Sequence, residues 1–184
     1  MTNRRSVADV AGPPSGEVAV LIDVQSKLSA PPLVAAARAM SHFGEHSGGW
    51  VGLSVAGALL MPGRRREWLL VGMGSVAAHA VSILIKMVVR RKRPHHPGIA
   101  VKVGTPSSLS FPSAHATSTT AAAMLLCRAT RSRLPLVLVP LMAVSRLVLG
   151  VHYPTDVLAG VVVGATVART ATHLAGHHRE TPSE

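Results

Sequence analysis

Aromatic residues and cysteine are scarce in this chain. Its 184 residues include two Trp, one Tyr and two Phe, a 3% aromatic content, although 48% of the residues are hydrophobic. A soluble core would have to be built from Ala, Val and Leu, whereas small apolar residues suit helices that pack closely within a membrane. Cys127 is the single cysteine, which excludes an intrachain disulfide.

Acidic residues are also few, since 8 Asp and Glu face 19 Lys and Arg and the formal net charge is +11. A nucleic-acid-binding protein can carry this charge, but its basic residues would lie on a solvated face. Here they interrupt long apolar segments, which favours membrane lipids and a phosphate-bearing substrate as partners. We therefore predict a membrane protein that binds no nucleic acid.

The apolar segments predict an all-α, polytopic membrane helical bundle. A helix needs roughly 20 mostly apolar residues to span a bilayer, and about five candidates cover residues 43–61, 68–89, 113–127, 134–151 and 157–175. The segment 113–127 is rich in Ala, Ser and Thr, so we expect it to be an inner helix. Two short amphipathic helices, near 17–28 and 33–40, are expected at the membrane interface.

The domain organisation follows from the same pattern. We predict a single membrane domain at 17–176, between a flexible leader at 1–16 and a flexible tail at 177–184, with no internal repeat. If the spans alternate in direction, the end of the second, the start of the third, the end of the fourth and the start of the fifth share one membrane face. Three groups of polar residues lie at these ends, so we expect one shared site.

The first group contains Lys86 and Arg93, seven residues apart. Two helical turns separate them, so they share a helix face about 10 Å apart along the axis. Lys86 lies inside a predicted span and needs an anionic partner, which makes it a functional candidate. The intervening Arg90, Arg91 and Lys92 are interpreted as a basic run at the membrane surface.

The second group is Pro112-Ser113-Ala114-His115, which opens a helix after a loop. Proline is favoured at a helix start, and the first backbone N–H groups of a helix have no partner within it, so they can bind an anion. The Ser113 hydroxyl adds a donor. Helix capping alone would explain the serine, but it does not explain His115 beside it.

The third group is Arg146, His152 and Asp156, where one predicted span ends and the next begins. Asp156 lies in the first turn of the later helix, from which it can reach back to the imidazole. A carboxylate on one ring nitrogen fixes the tautomer and leaves the other nitrogen free to attack. A cation, a histidine and a carboxylate in this order favour a phosphate site over a purely structural role.

Together the three groups resemble the three-part signature of the type 2 phosphatidic acid phosphatase family, whose site architecture is shared with vanadium-dependent haloperoxidases. The matching segments are Lys86 to Arg93-Pro94, Pro112 to His115, and Ser145-Arg146 to His152 and Asp156. The helical layout extends the resemblance to about residues 30–175. This chain departs from the family at Ala114, where glycine is usual; a backbone N–H can still serve there.

The resemblance implies a role for each residue. His152 would be the nucleophile that forms a phosphohistidine, Asp156 would orient it, and His115 would be the general acid. Charge on the phosphate oxygens would be stabilised by Lys86, Arg93, Ser113, Ala114 and Arg146. Such catalysis depends on positioning and electrostatics, and we expect no metal and no cofactor.

Other histidines are open to simpler interpretations. His42, Glu45 and His46 are interpreted as polar residues at a helix end rather than a metal site. His79, one heptad before Lys86, either lines a channel for the lipid or packs in a polar core.

A closer resemblance, carried by Ser41–Ser47 and Ala116–Thr120, is to small actinobacterial members of the family that act on a polyprenyl-linked phosphoribose in the supply of cell-wall arabinan precursors. It implies a polyprenyl-linked phosphate lipid as substrate and a multi-pass protein of the plasma membrane, with its site on the extracytoplasmic face. Polyprenyl diphosphate and phosphatidylglycerol phosphate are alternative substrates, and a non-enzymatic membrane scaffold is an alternative class. Partners among lipid-precursor enzymes, or a homo-oligomer, stay open.

Overall fold

The computed structural model describes residues 16–177 and confirms an all-α fold. Within that range the only strand-like pairing is an isolated antiparallel bridge between Lys92 and Leu109. Short 3₁₀ turns occupy Glu45–Ser47, Pro62–Arg64 and Leu134–Val137. Residues 16–177 form seven α-helices: α1 Gly16–Lys27, α2 Pro31–Gly44, α3 Gly48–Leu60, α4 Arg65–Val89, α5 Ala114–Thr130, α6 Leu138–Val148 and α7 Pro154–His177. The predicted leader, except for Gly16, and the predicted tail beyond His177 lie outside the described residues.

Helix α5 is the inner helix that its Ala, Ser and Thr content predicted. Its residues from Ala116 to Ala123 are all buried, and it packs mainly against α4 and α7. Glycines let α7 approach closely: a Cβ at Gly160 would lie 2.7 Å from the carbonyl oxygen of Ser113, and one at Gly164 would lie 2.3 Å from that of Thr117. This small-residue contact fixes the start of α5 against α7.

The outer helices expose large apolar side chains, as a membrane protein does. Leu60 on α3, Val88 on α4 and Val162 on α7 are 80%, 83% and 65% exposed. In the part of the chain that the structure describes, two helices are long and apolar enough to span a bilayer: Pro62–Val89, which includes the turn before α4, and Pro154–Gly176. Helices α3, α5 and α6 have 13, 17 and 11 residues, so the expectation of about five spans stays a prediction.

The stretch 43–61, predicted as one span, is interrupted. Helix α2 ends at Gly44, and α3 begins at Gly48 after a 3₁₀ turn. His46 and Ser47 have φ of 49° and 61°, the left-handed region that ends a right-handed helix. The break brings residues 41–46 to the wall of the site described below.

The N-terminal helices α1 and α2 pack on the end of the bundle that contains this site. Helix α2 contacts α6, and α1 contacts α6 and α7. Buried Gln25 on α1 donates to the carbonyl oxygens of Ala100 at 2.7 Å and Val148 at 3.1 Å, and it accepts from the Ala100 N–H at 3.0 Å. These bonds hold the long loop between α4 and α5 against α6.

Candidate active site

The three polar groups meet around one cavity of about 630 Å³ at the end of the bundle where α4 and α6 finish and α5 begins. Ser113 and Asp156 are fully buried and do not line it. Of the residues that the sequence predicted for the site, those on the cavity wall are Lys86, Arg93, Ala114, His115, Arg146 and His152.

Lys86 is 8% exposed, and its ammonium group is held by backbone carbonyl oxygens. Its Nζ donates to Pro112 O at 2.6 Å, Ser110 O at 3.1 Å and Leu109 O at 3.4 Å. An anionic partner was expected for Lys86 because it lies within an apolar segment, but its acceptors in the protein are neutral carbonyl oxygens. The cation therefore lies beside the start of α5, on the wall of the cavity.

Arg93 connects the first polar group to the third. Its Nε donates to Ser107 O at 2.8 Å, and its Nη1 donates to Val151 O at 2.7 Å and to His152 Nε2 at 3.2 Å. Because a guanidinium can only donate, His152 Nε2 must accept with its lone pair. The imidazole proton is therefore assigned to Nδ1.

Asp156 lies on the Nδ1 side of that ring. Its Oδ2 is 3.7 Å from His152 Nδ1, beyond hydrogen-bond distance, and accepts from the Tyr153 N–H at 2.8 Å. His152 is 3% exposed, and its burial lowers its pKa to about 4 against the opposing effect of Asp156. His152 is thus neutral at neutral pH, with a lone pair on Nε2, which is the state a nucleophile needs.

Ser41 on α2 holds two of the predicted residues. Its hydroxyl accepts from Arg146 Nη1 at 3.0 Å, and its carbonyl oxygen accepts from His115 Nε2 at 3.0 Å. Arg146 is 1% exposed and also donates to Ser145 Oγ at 3.1 Å. Since a carbonyl oxygen can only accept, His115 carries a proton on Nε2, and Nδ1 is its second protonation site.

Ser113 is placed differently from the sequence prediction. Its hydroxyl accepts from the Ala116 N–H at 3.4 Å as the N-cap of α5, and its own N–H donates to the Asp156 carbonyl oxygen at 2.9 Å. Ala114, the first residue of α5, is on the cavity wall, and helix geometry leaves its N–H without an acceptor inside the helix.

Sequence reasoning missed three residues that hold the site together. The sequence indicates Ser41 only through the resemblance, places Arg91 in a basic run at the surface, and places Glu17 in an interfacial helix. Arg91 contacts both Glu17 and Asp156. The sequence carries no local signal for these contacts, because Arg91 is 65 residues from Asp156 and 74 from Glu17.

Four further polar residues, His42, Glu45, His46 and His79, line the cavity. His42 Nδ1 lies 3.7 Å from Glu45 Oε2, and the rings of His46 and His79 are 5.9 Å apart between centroids. His79 is therefore on the cavity wall, as the first of its two interpretations predicted. Its buried Nδ1 has no hydrogen-bond partner among the described residues.

Comparison with known proteins agrees with this geometry. Residues 67–180 match the model of the PAP2 superfamily. The chain is 60% identical over 164 residues to the decaprenylphosphoryl-5-phosphoribose phosphatase of Mycobacterium tuberculosis strain H37Rv, covering 89% of this chain and 93% of the relative. It is 64% identical over 148 residues to the protein of the same name from Mycolicibacterium smegmatis, covering 80% and 82%.

A solved structure shares the fold. It is the crystal structure of a transmembrane PAP2-type phosphatidylglycerolphosphate phosphatase from Bacillus subtilis, with a TM-score of 0.72 and 21% identity over 89% of this chain and 88% of that one. The chain belongs to the PAP2 superfamily. The family match confirms the resemblance, and the relatives' names confirm the predicted enzyme class, a phosphoric monoester hydrolase. The apolar helices and this neighbour make it a membrane protein.

Proposed function

We propose that this protein removes the terminal phosphate from decaprenylphosphoryl-5-phosphoribose and leaves decaprenylphosphoryl ribose. The observation that carries the proposal is the state of His152, whose Nε2 lone pair faces Arg93 on the wall of a cavity that also contains Lys86 and Arg146. Relatives at 60% and 64% identity carry the name of this activity. The terminal phosphate of this substrate is a compact dianion, which a cavity lined by cations can bind.

The cations bind the terminal phosphate first. Lys86, Arg93 and Arg146 bring three positive charges to one cavity, and the Ala114 N–H adds a donor at the positive end of α5. Ser113 contributes by capping α5, which orients that N–H. Fixed donors of this kind stabilise charge on the phosphate oxygens without reorganising during the reaction.

His152 then attacks in line. When Arg93 Nη1 turns from His152 Nε2 to a phosphate oxygen, the freed Nε2 lone pair forms a bond to phosphorus while the bond from phosphorus to the ribose 5-oxygen breaks. Asp156 faces the Nδ1–H and stabilises the positive charge that develops on the ring. His115 enters this step as an imidazolium: its Nε2–H is held by the Ser41 carbonyl, and it gives its Nδ1 proton to the leaving oxygen, which leaves the ring neutral. In the second step His115 takes a proton from water, whose oxygen attacks the phosphohistidine and releases phosphate and neutral His152.

The terminal monoester is the expected target because it offers three free oxygens to the cations, whereas the internal phosphodiester offers two. The histidines on the cavity wall, among them His46 and His79, provide donors and acceptors for the ribose hydroxyls. The headgroup glycerol of phosphatidylglycerol phosphate offers them one free hydroxyl, whereas the ribose offers two. This favours the phosphoribosyl lipid over phosphatidylglycerol phosphate.

The test is phosphate release by the purified protein in detergent from three lipids: decaprenylphosphoryl-5-phosphoribose, decaprenyl diphosphate and phosphatidylglycerol phosphate. We expect the highest kcat/KM for the first, with mass spectrometry finding the phosphodiester intact in the product. A preference for either of the other two lipids would change the proposed substrate but not the proposed reaction. No release from any of them would refute the reaction.

The same assay tests the expectation of no metal and no cofactor. Activity should survive EDTA and be inhibited by vanadate, which as a trigonal-bipyramidal oxyanion resembles the transition state. Loss of activity on chelation, with recovery on adding Mg²⁺, would contradict this.

We further propose that residues 17–176 form one domain of the plasma membrane with the cavity open to the extracytoplasmic face. The C-terminal end of α7 lies a helix length away from the cavity, so a fluorescent protein fused at the C-terminus should fold in the cytoplasm and be fluorescent. If that fusion is not fluorescent, and a reporter that is active only outside the cytoplasm works at the same position, the orientation is the opposite of the one proposed.

A further inference from the structure

Arg91 differs from the two basic residues beside it. Its side chain is 29% exposed, whereas Arg90 and Lys92 are exposed. Among the described residues, the Arg90 side chain donates to the Met87 carbonyl of α4, at 3.2 Å. Arg91 is directed instead towards the start of α7. It does not line the cavity, so a bound substrate would not touch it.

The Arg91 guanidinium binds the buried carboxylate behind His152. Its Nη1 donates to Asp156 Oδ1 at 3.0 Å and to Thr155 Oγ1 at 2.7 Å, and its central carbon lies 4.1 Å from the centre of the Tyr153 ring. Asp156 is completely buried, and an unpaired buried carboxylate would be costly. With Oδ1 held by Arg91 and Oδ2 by the Tyr153 N–H, the carboxylate cannot rotate away from His152.

Glu17 on α1 holds Arg91 from the other side. Its Oε2 accepts from Arg91 Nη2 at 2.5 Å, and its Oε1 accepts from the Thr155 N–H at 2.9 Å and from Thr155 Oγ1 at 2.6 Å. Although burial lowers the pKa of Arg91, the bond to Glu17 and the charge of Asp156 raise it above its ordinary value. Glu17 lies outside the residues that match the family model, 67–180.

We propose that Arg91 and Glu17 are positioning residues, which lock the Asp156 carboxylate against His152 and make α1 part of the active site. The proposal rests on the function proposed above, in which His152 is the nucleophile. Arg91 fixes the carboxylate, and Glu17 shares the positive charge of Arg91 so that Asp156 keeps enough negative charge to stabilise the imidazolium. Neither residue contributes to substrate binding. Both stabilise the reaction only when the His152 ring becomes positively charged.

The experiment compares Arg91→Ala, Arg91→Lys and Glu17→Gln with Arg90→Ala as the matched control. The readouts are kcat, KM and the rate of phosphoenzyme formation with p-nitrophenyl phosphate. Hydrogen bonds to charged groups support an expected fall in kcat of roughly 10- to 100-fold for Arg91→Ala, with KM unchanged. Arg91→Lys should recover part of this loss, and Glu17→Gln should lose about tenfold or less. Arg90→Ala should match the wild type.

A double-mutant cycle separates positioning from general support of the fold. In an Asp156→Asn background, Arg91→Ala should cost little further kcat, because the carboxylate it positions is gone. A loss equal to that in the wild type, or a KM effect as large as the kcat effect, would overturn the proposal. If Arg91→Ala fails to fold, the kcat and KM of Arg91→Lys and Glu17→Gln test the proposal in the same way.

The outcomes also distinguish this inference from the proposed function. Wild-type protein that forms no phosphoenzyme refutes the phosphohistidine mechanism. Wild-type protein that forms one, with Arg91→Ala and Glu17→Gln indistinguishable from Arg90→Ala, refutes only the positioning role.

Discussion

The two histidines on the cavity wall have different proposed roles, and replacing each by alanine separates them. His152→Ala removes the nucleophile, so no substrate should form a phosphoenzyme. His115→Ala removes the proton donor and leaves the nucleophile with its Arg93 and Asp156 neighbours. The comparison uses two substrates that differ in their leaving group: the lipid phosphoribose, which leaves as an alkoxide, and p-nitrophenyl phosphate, which leaves as a stabilised phenolate.

The size of the effect follows from where His115 is held. Its Nε2–H is bonded to the Ser41 carbonyl oxygen at 3.0 Å, so the imidazole is oriented for proton transfer through Nδ1. A positioned general acid contributes typically 10²–10⁴-fold when the leaving group needs its proton. His115→Ala should therefore lose activity on the lipid by about that factor, and far less on the aryl phosphate. His152→Ala should fall to background on both.

The assay is steady-state phosphate release with both substrates, together with acid quench after mixing with labelled p-nitrophenyl phosphate. Labelled protein should be trapped in His115→Ala and absent in His152→Ala. His173→Ala, which changes an exposed histidine further along α7, is the control and should resemble the wild type. Equal losses on the two substrates for His115→Ala, or a phosphoenzyme in His152→Ala, would refute these roles.

Two further predictions concern packing and pH. Gly44→Ala should lower activity on the lipid several-fold while the protein stays folded, because its Cβ would lie 2.8 Å from His115 Cδ2. Gly48→Ala is the control and should keep wild-type activity, because a Cβ there would have no atom within 4 Å. Equal activities of the two variants would contradict this prediction. Because the folded-state pKa of His152 is about 4, below the unfolded value of about 6.5, the unfolded chain binds more protons in this interval and stability falls as pH drops from about 6.5 to about 4. Thermal unfolding in detergent should show a shallower fall for His152→Asn, and parallel curves would contradict the assigned pKa.

The local elements and the identity of most of the site could be predicted from the sequence. The composition of 113–127 indicated a buried helix, and α5 is buried. The spacing of Lys86 and Arg93 predicted one shared helix face, but α4 ends at Val89 and Arg93 lies in the loop beyond it. Both residues still lie at the same end of the bundle as His152 and Asp156. The buried helix and the shared end could be predicted because composition and the positions of charges within apolar runs are properties of neighbouring residues. The end of α4 could not, because Arg90 adopts the left-handed conformation there.

Tertiary structure alone decided which partner each polar side chain finds. Arg91 belongs to a basic run by sequence and becomes the partner of Asp156 and Glu17, while Arg90 stays at the surface. The Ser113 hydroxyl turns away from the cavity to cap α5. A buried charge must find an acceptor or a counter-charge, and these partners come from segments that are distant in sequence and meet only when the helices pack.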